Sequence, residues 1–214
     1  MLQALLHKKI RTAENCDAIA RQEDVITSLA FGLLELLPHD SGIGAWLSTL
    51  GLPKTASAKL DFWPGGDSKT EPDMLIKTPQ FSALVEAKNG AEFGHLQLGR
   101  EWNWLHAQCD APFYLIVITR IPITVDAIHA QCVQDLNALG PKYAPPTHDQ
   151  IRTTTWSTLG QVARRLPDQP HHIARLRDNL IDGLTMAGVV RPPFEGWPTP
   201  ALRLEADPKW YRHV

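Results

Sequence analysis

The chain has 214 residues, with 21 Lys+Arg against 23 Asp+Glu, 43% hydrophobic residues and 21% charged ones. This composition excludes a disordered chain, and the length excludes a scaffold that needs disulfides to hold a core. The formal net charge of −2 argues against a broadly basic nucleic-acid-binding surface.

The length predicts a single domain over 1–214. Cys16, Cys109 and Cys132 are widely spaced and form no C-x-x-C pair, so they are expected to be three buried thiols in a reducing compartment. Met1–Ile10 lacks the charge-then-apolar order of a signal peptide, and no apolar run approaches a membrane span. A soluble cytoplasmic protein with no membrane association is the expectation.

In chain order, the spacing predicts a helix over Glu14–Leu37, stopped by Pro38. A glycine-containing segment, His39–Lys54, follows with Trp46 and Leu47 turned inward. Three strands are predicted next: Lys59–Trp63, Asp73–Lys77 and Phe81–Lys88, the last two split by the turn-like Thr78-Pro79-Gln80. Ala91–Cys109 reads as helix. Phe113–Thr119 is continuously apolar, as a strand buried on both faces must be. Val125–Leu139 reads as helix, Ile151–Trp156 as strand, and Ser157–Arg165 and His172–Met186 as helices. Arg191–Val214, rich in proline and aromatics, is expected to be an irregular arm packed on the body. The succession predicts an α/β (α+β) domain around a mixed sheet, with a core over about 14–156 and a C-terminal helical extension and arm over about 157–214.

The informative residues are acids in apolar surroundings. If residues 78–81 turn the hairpin, residue 75 faces 84 and Asp73 lies across from Glu86. Period-two alternation then puts Asp73, Glu86 and Lys88 on one face. Like charges opposed on a sheet are destabilising, and a cation between them removes the penalty. On the first helix, positions 19, 23, 26, 30, 33 and 37 form a stripe that is apolar except at Glu23. Charge on a buried stripe is costly, so Glu23 either lies at its margin or faces a partner, with Thr27 beside it. These side chains suit metal-dependent phosphodiester hydrolysis. Asp73 and Glu86, with the backbone carbonyl of Ala87, would supply oxygens to Mg²⁺; Lys88 would orient or deprotonate a water and offset negative charge; Glu23 would hold a second metal or its waters. Taken alone, Glu86-Ala87-Lys88 also reads as an exposed cross-strand ion pair. Candidate phosphate contacts are Lys8, Lys9, Arg11, Arg100, Arg164, Arg165, Arg175 and Arg177, while Trp102 and Trp104 read as core.

These residues resemble the PD-(D/E)xK nuclease superfamily. The motif reads Pro72-Asp73, then Glu86-Ala87-Lys88 thirteen residues after Asp73. Glu23, in RQEDVITSLAFGLLELLP, is similar to the family's first-helix glutamate, with Asp24 the adjacent alternative. Gln97-Leu98 is similar to the Q-L pair on the helix after the motif. The resemblance covers about 14–120. It implies a restriction-endonuclease-like αβββαβ core with a central mixed sheet flanked by helices, and one or two Mg²⁺ or Mn²⁺ ions at Glu23, Asp73, Glu86 and Ala87. It also implies a catalytic set of Asp73, Glu86, Lys88, Glu23 and Gln97, and cleavage of DNA or, less often, RNA. The run EDxxTSxxFGLLxLLP, with Asp61-Phe62-Trp63 and EPDMLI, is similar to stand-alone bacterial nucleases of phage or mobile-element defence. Cutting both strands would call for a homodimer. The lack of an obvious reader module would suit a partner protein that recognises the target. The alternative is a non-catalytic nuclease-fold subunit of a larger nucleic-acid-processing complex. With Glu23, Asp73 and Glu86 assigned to metal, the remaining acids and bases nearly cancel, so phosphate would be held locally rather than by a basic surface.

Overall fold

Helix α1 (Glu23–Leu36) opens with Glu23 and Asp24 in its first turn, where carboxylates favour the helix dipole. It ends because Leu37, which precedes Pro38, is held extended at φ −77° and ψ 155°. The computed structural model describes residues 22–65, 70–110, 112–140, 142–165 and 170–190. The expected helical residues 14–21, Cys16, Lys8, Lys9, Arg11 and the arm over 191–214 lie outside them.

Helix α2 (Ile43–Thr49) lies within the glycine-containing segment His39–Lys54. Gly42 permits it, since a Cβ there would strike the Leu34 carbonyl and the Leu37 side chain. Its buried residues Trp46 and Leu47 point inward as expected. Three antiparallel strands follow: β1 (Lys59–Phe62), β2 (Met74–Lys77) and β3 (Ser82–Ala87). The β2–β3 register pairs Lys77 with Ser82 and Leu75 with Leu84, as the hairpin argument predicts. The turn is locked by Thr78, whose Oγ1 accepts from the Phe81 amide at 2.9 Å.

Helix α3 (Gln97–Gln108) crosses over to β4 (Phe113–Thr119), parallel to β3. Helix α4 (Val125–Leu139) then leads, through a short 3₁₀ turn at His148–Gln150, to β5 (Ile151–Thr155), parallel to β4. Helices α5 (Trp156–Arg164) and α6 (His171–Met186) complete the described chain. Helix α3 starts six residues later than expected. The chain turns at Gly94, and Leu96 sits in the left-handed region at φ 55°, so a helix through 91–96 is not available.

The sheet order is β1-β2-β3-β4-β5, antiparallel in its first half and parallel in its second. Alternation along the strands splits the core in two. Met74, Ile76, Ala83, Val85, Ile116 and Ile118 face α1, α2, α5 and α6. Leu75, Leu84, Leu115 and Val117 face α3 and α4. The result is the expected α+β architecture, a mixed sheet flanked by helices. Among the described residues no helix is long and apolar enough to cross a membrane. Of the thiols, Cys132 is buried but Cys109 is only half-buried, because it follows the end of α3.

Candidate active site

Glu86 and Lys88 stand two apart on and just beyond β3, so both side chains fall on the Leu84 face. Glu86 is 1% exposed and Lys88 9%. This overturns the reading of the triplet as an exposed ion pair. Lys88 Nζ lies 2.6 Å from Glu86 Oε1 and 3.2 Å from Glu23 Oε1. Its backbone is fixed as well: the amide donates to the Ile118 carbonyl at 2.7 Å, and the carbonyl accepts from the Trp156 indole at 3.2 Å.

Asp73, one residue before β2, is buried beside the same strand, and its Oδ2 accepts from the Ala87 amide at 2.7 Å. Because the Lys88 amide points toward β4, the polar backbone groups of Ala87 point the other way, toward Asp73. On a strand the Ala87 carbonyl shares that side with its own amide. Glu23, the first residue of α1, reaches the end of β3 from the opposite face. Its Oε2 accepts from the Asn89 amide at 2.7 Å. Thr27, one turn on, is fully buried, and its Oγ1 has no hydrogen-bond partner among the described residues.

Gln97 opens α3 and ties the cluster to that helix. Its Nε2 donates to Glu86 Oε1 at 2.5 Å and to Glu101 Oε1 at 2.8 Å, while its own Oε1 accepts from the Gly94 amide at 2.8 Å. All six expected positions, Glu23, Asp73, Glu86, Ala87, Lys88 and Gln97, are thus brought together at the C-terminal end of β3.

Glu101 is the member that sequence reasoning missed. It is 2% exposed and lies on the α3 face with Leu98, Trp102 and Leu105. The signal was present: a glutamate within a 98–101–102–105 apolar stripe is the same anomaly that singled out Glu23. Trp156, placed by the sequence at the end of a strand, instead begins α5 and carries the Lys88 contact.

The electrostatics follow from this crowding. Burial, then repulsion from Glu86, raises the Asp73 pKa well above the ordinary aspartate value. Burial, then repulsion from Glu101, does the same to Glu86. Burial pushes Glu101 up to about 7, although hydrogen bonds from Glu86 and Gln97 oppose the rise. For Lys88 burial acts downward, but the attraction of Glu86, Glu23 and Asp73 outweighs it and the pKa is raised. Lys88 is therefore an ammonium, able to donate hydrogen bonds and offset charge rather than take up a proton.

Glu86 Oε2 and Glu101 Oε2 are both buried without a donor among the described residues. Two carboxyls in such contact do not both carry full charge unless a proton or a cation is shared between them. An all-oxygen donor set with surplus negative charge suits a hard divalent ion such as Mg²⁺ or Mn²⁺. Among the described residues, however, no three Asp, Glu, His or Cys side chains converge on one point. Asp73 is turned to the Ala87 amide, and Glu23 to Lys88 and Asn89.

Three of the other candidates make contacts of their own. Trp102 is core, and its indole donates to the Ala144 carbonyl at 2.8 Å. Arg100 donates to the His95 carbonyl at 2.5 Å. Arg177 pairs with Asp178 at 2.9 Å. The chain matches no known family model, no curated protein and no solved structure.

Proposed function

We propose that the protein is a metal-dependent endonuclease that hydrolyses phosphodiester bonds of DNA, as the resemblance to PD-(D/E)xK nucleases implies. The observation that carries this reading is the buried surplus of carboxylates around one lysine, with an oxygen of Glu86 left without a donor. Such a cluster costs stability in a purely structural role and is repaid by a cation and a charged substrate.

Asp73, Glu86 and the Ala87 carbonyl would hold the first Mg²⁺ or Mn²⁺, and Glu23 a second or its waters. When bound, the ion supplies positive charge against the charge that builds on the phosphate, and it acidifies water. The chain's own residues do the rest. Lys88, an ammonium fixed at both backbone ends, orients the attacking water and stabilises developing charge on the phosphate. Gln97 holds Glu86 in place through Oε1 and leaves Oε2 open. A cytoplasmic setting, a defence role against phage or mobile elements, a homodimer and a target-recognising partner protein belong to the same proposal.

Incubation of plasmid DNA with the purified protein and Mg²⁺ or Mn²⁺ tests it. Nicking that disappears in Asp73→Ala, Glu86→Ala and Lys88→Ala is the expected result. No cleavage of any nucleic acid with either ion would overturn it.

A second reading, a non-catalytic subunit with a nuclease-like fold, is favoured by one observation: every named carboxylate already has a donor within the chain. Calorimetry separates the two. Absence of Mg²⁺ and Mn²⁺ binding, with DNA affinity unchanged in Asp73→Ala, would select the second.

A further inference from the structure

Helix α3 carries a second, outer face on which Arg100, Asn103, Trp104 and Ala107 recur at the i, i+3, i+4, i+7 spacing. A cleft of about 240 Å³ opens along it. Leu139, the last residue of α4, and Lys142, in the loop after it, also line the cleft, and Thr70 and Gln108 complete the lining. No aspartate or glutamate is among these residues, in a chain whose formal net charge is −2. Neither cation is spent on an ion pair. Arg100 Nη1 donates to the His95 carbonyl, and Lys142 Nζ lies 5.2 Å from the ring centroid of its neighbour Tyr143. Among the described residues no carboxylate lies within ion-pair distance of either.

The α3 wall also holds buried polar atoms without partners. Arg100 Nε and Trp104 Nε1 lack an acceptor, and Asn103 Oδ1 lacks a donor, among the described residues. Buried polar groups are nearly always satisfied, so three such atoms within five residues call for a partner outside the chain. All three side chains line the cleft, so an occupant can supply it. The Asn103 amide presents N–H in place of oxygen after a half-turn that leaves its shape unchanged. Every polar side chain of this wall then donates. Thr70, Gln108 and Lys142 add a hydroxyl, an amide and an ammonium. Water can satisfy single donors, but it does not neutralise two cations.

We infer that this cleft binds a phosphate group, and that the phosphate belongs to the DNA strand held at the carboxylate cluster, a few nucleotides from the bond to be cut. The volume does not choose the occupant; the lining does. A phosphodiester carries negative charge and only acceptor oxygens, the complement of a lining that holds two cations, several donors and no acid. The source of the phosphate rests on the endonuclease reading and on position. The helix that forms this wall also carries Gln97 and Glu101, and Thr70 lies three residues before Asp73. From Gln97 to Trp104 the helix rises about 10 Å. A B-DNA strand covers that length in about three nucleotides. A contact of this kind fixes the position of a strand without reading its sequence.

The test pairs anisotropy of labelled DNA and calorimetry of inorganic phosphate, both without divalent ions, with a nicking assay in Mg²⁺ or Mn²⁺. Arg100→Gln and Lys142→Gln are each expected to weaken DNA binding about 10-fold, equally for every sequence. Each should also reduce the slope of log affinity against log salt by about 1, abolish phosphate binding and slow nicking. Lys142 is exposed, so its replacement leaves the fold intact. Lys54→Gln makes the same charge change at an exposed position after α2, on the other side of the sheet, and controls for net charge. Variants at Arg100 and Lys142 that change DNA and phosphate binding no more than Lys54→Gln does overturn the inference. If phosphate binding depends on Arg100 and Lys142 but DNA binding does not, the strand assignment is overturned and the cleft belongs to a free phosphorylated molecule. If DNA is cut equally well by both variants, the cleft assignment fails while the endonuclease reading stands. If DNA binds through Arg100 and Lys142 but is never cut, the cleft assignment is supported and the hydrolytic reading fails.

Discussion

Lys88 Nζ and Glu86 Oε1 lie 2.6 Å apart, and both side chains are nearly dry, 11% and 1% exposed. A contact between next-but-one residues along a strand follows from the pleat. Its energetics do not, because the lysine offsets Asp73 and Glu23 as well.

Removing the lysine therefore leaves several carboxylates buried without a cation. Lys88→Met is expected to destabilise the metal-free protein by roughly 3–5 kcal/mol and to abolish cleavage. Adding Glu86→Gln should return a large part of the stability and none of the activity. Urea unfolding of the single and double variants measures this. A single variant as stable as the parent would show that Lys88 does not compensate the cluster.

Asp73→Asn separates charge from contact. The amide oxygen can still accept from Ala87, while the repulsion from Glu86 is gone. Stability should be unchanged or slightly higher, and DNA cleavage lower by on the order of 10²–10³. Thermal unfolding and a nicking assay on the same preparation check both halves, and retained nicking would remove Asp73 from the site.

Glu101 carries a pH dependence. Its pKa is raised from the ordinary 4.5 to about 7. The folded value exceeds the unfolded one, so the contribution to stability is intact below about pH 4.5 and is lost as pH rises through 7. Without divalent ions the urea midpoint should fall between pH 5 and pH 8, by up to roughly 3 kcal/mol in stability, and Glu101→Gln should flatten that fall. A midpoint in the parent that does not move over this range would contradict a protonated Glu101.

Gly99 lets α3 and α4 approach. A Cβ there would lie 2.6 Å from the Asp135 Cβ and 3.0 Å from the α4 backbone, and its amide donates to Asp135 Oδ2 at 3.2 Å. Gly99→Ala gains helix propensity of about 1 kcal/mol, but overpacking should win, leaving the protein destabilised by roughly 1–2 kcal/mol. Because Gln97 and Glu101 ride on α3, cleavage should fall too. Chemical denaturation shows the sign; a stabilised variant would mean the helices separate freely.

The register of the β2–β3 hairpin was legible because alternation and one turn determine it. Asp73, Glu86 and Lys88 followed directly. Glu23 was legible as a charge on an apolar stripe, although the buried face of α1 runs through Thr27, Phe31 and Leu34 rather than Leu33. Glu101 carries the same mark on α3, but a helix expected from residue 91 takes in Phe93 and Leu96, which lie before the helix begins at Gln97. The left-handed Leu96 that delays the helix has no local signature, since leucine is not a residue expected there. Trp156 was beyond reach, as its partner is a carbonyl 68 residues away.

That separation has a consequence for when the site comes into being. Lys88 is anchored by Glu23, 65 residues before it, and by Trp156, 68 residues after it. Contacts that span so much chain form late, after the loops they close have been ordered. During synthesis, β3 emerges with its acids and lysine while the tryptophan that fixes the Lys88 carbonyl is still unmade. The nascent chain therefore carries the chemistry but not the geometry, and it gains the geometry only when α5 docks.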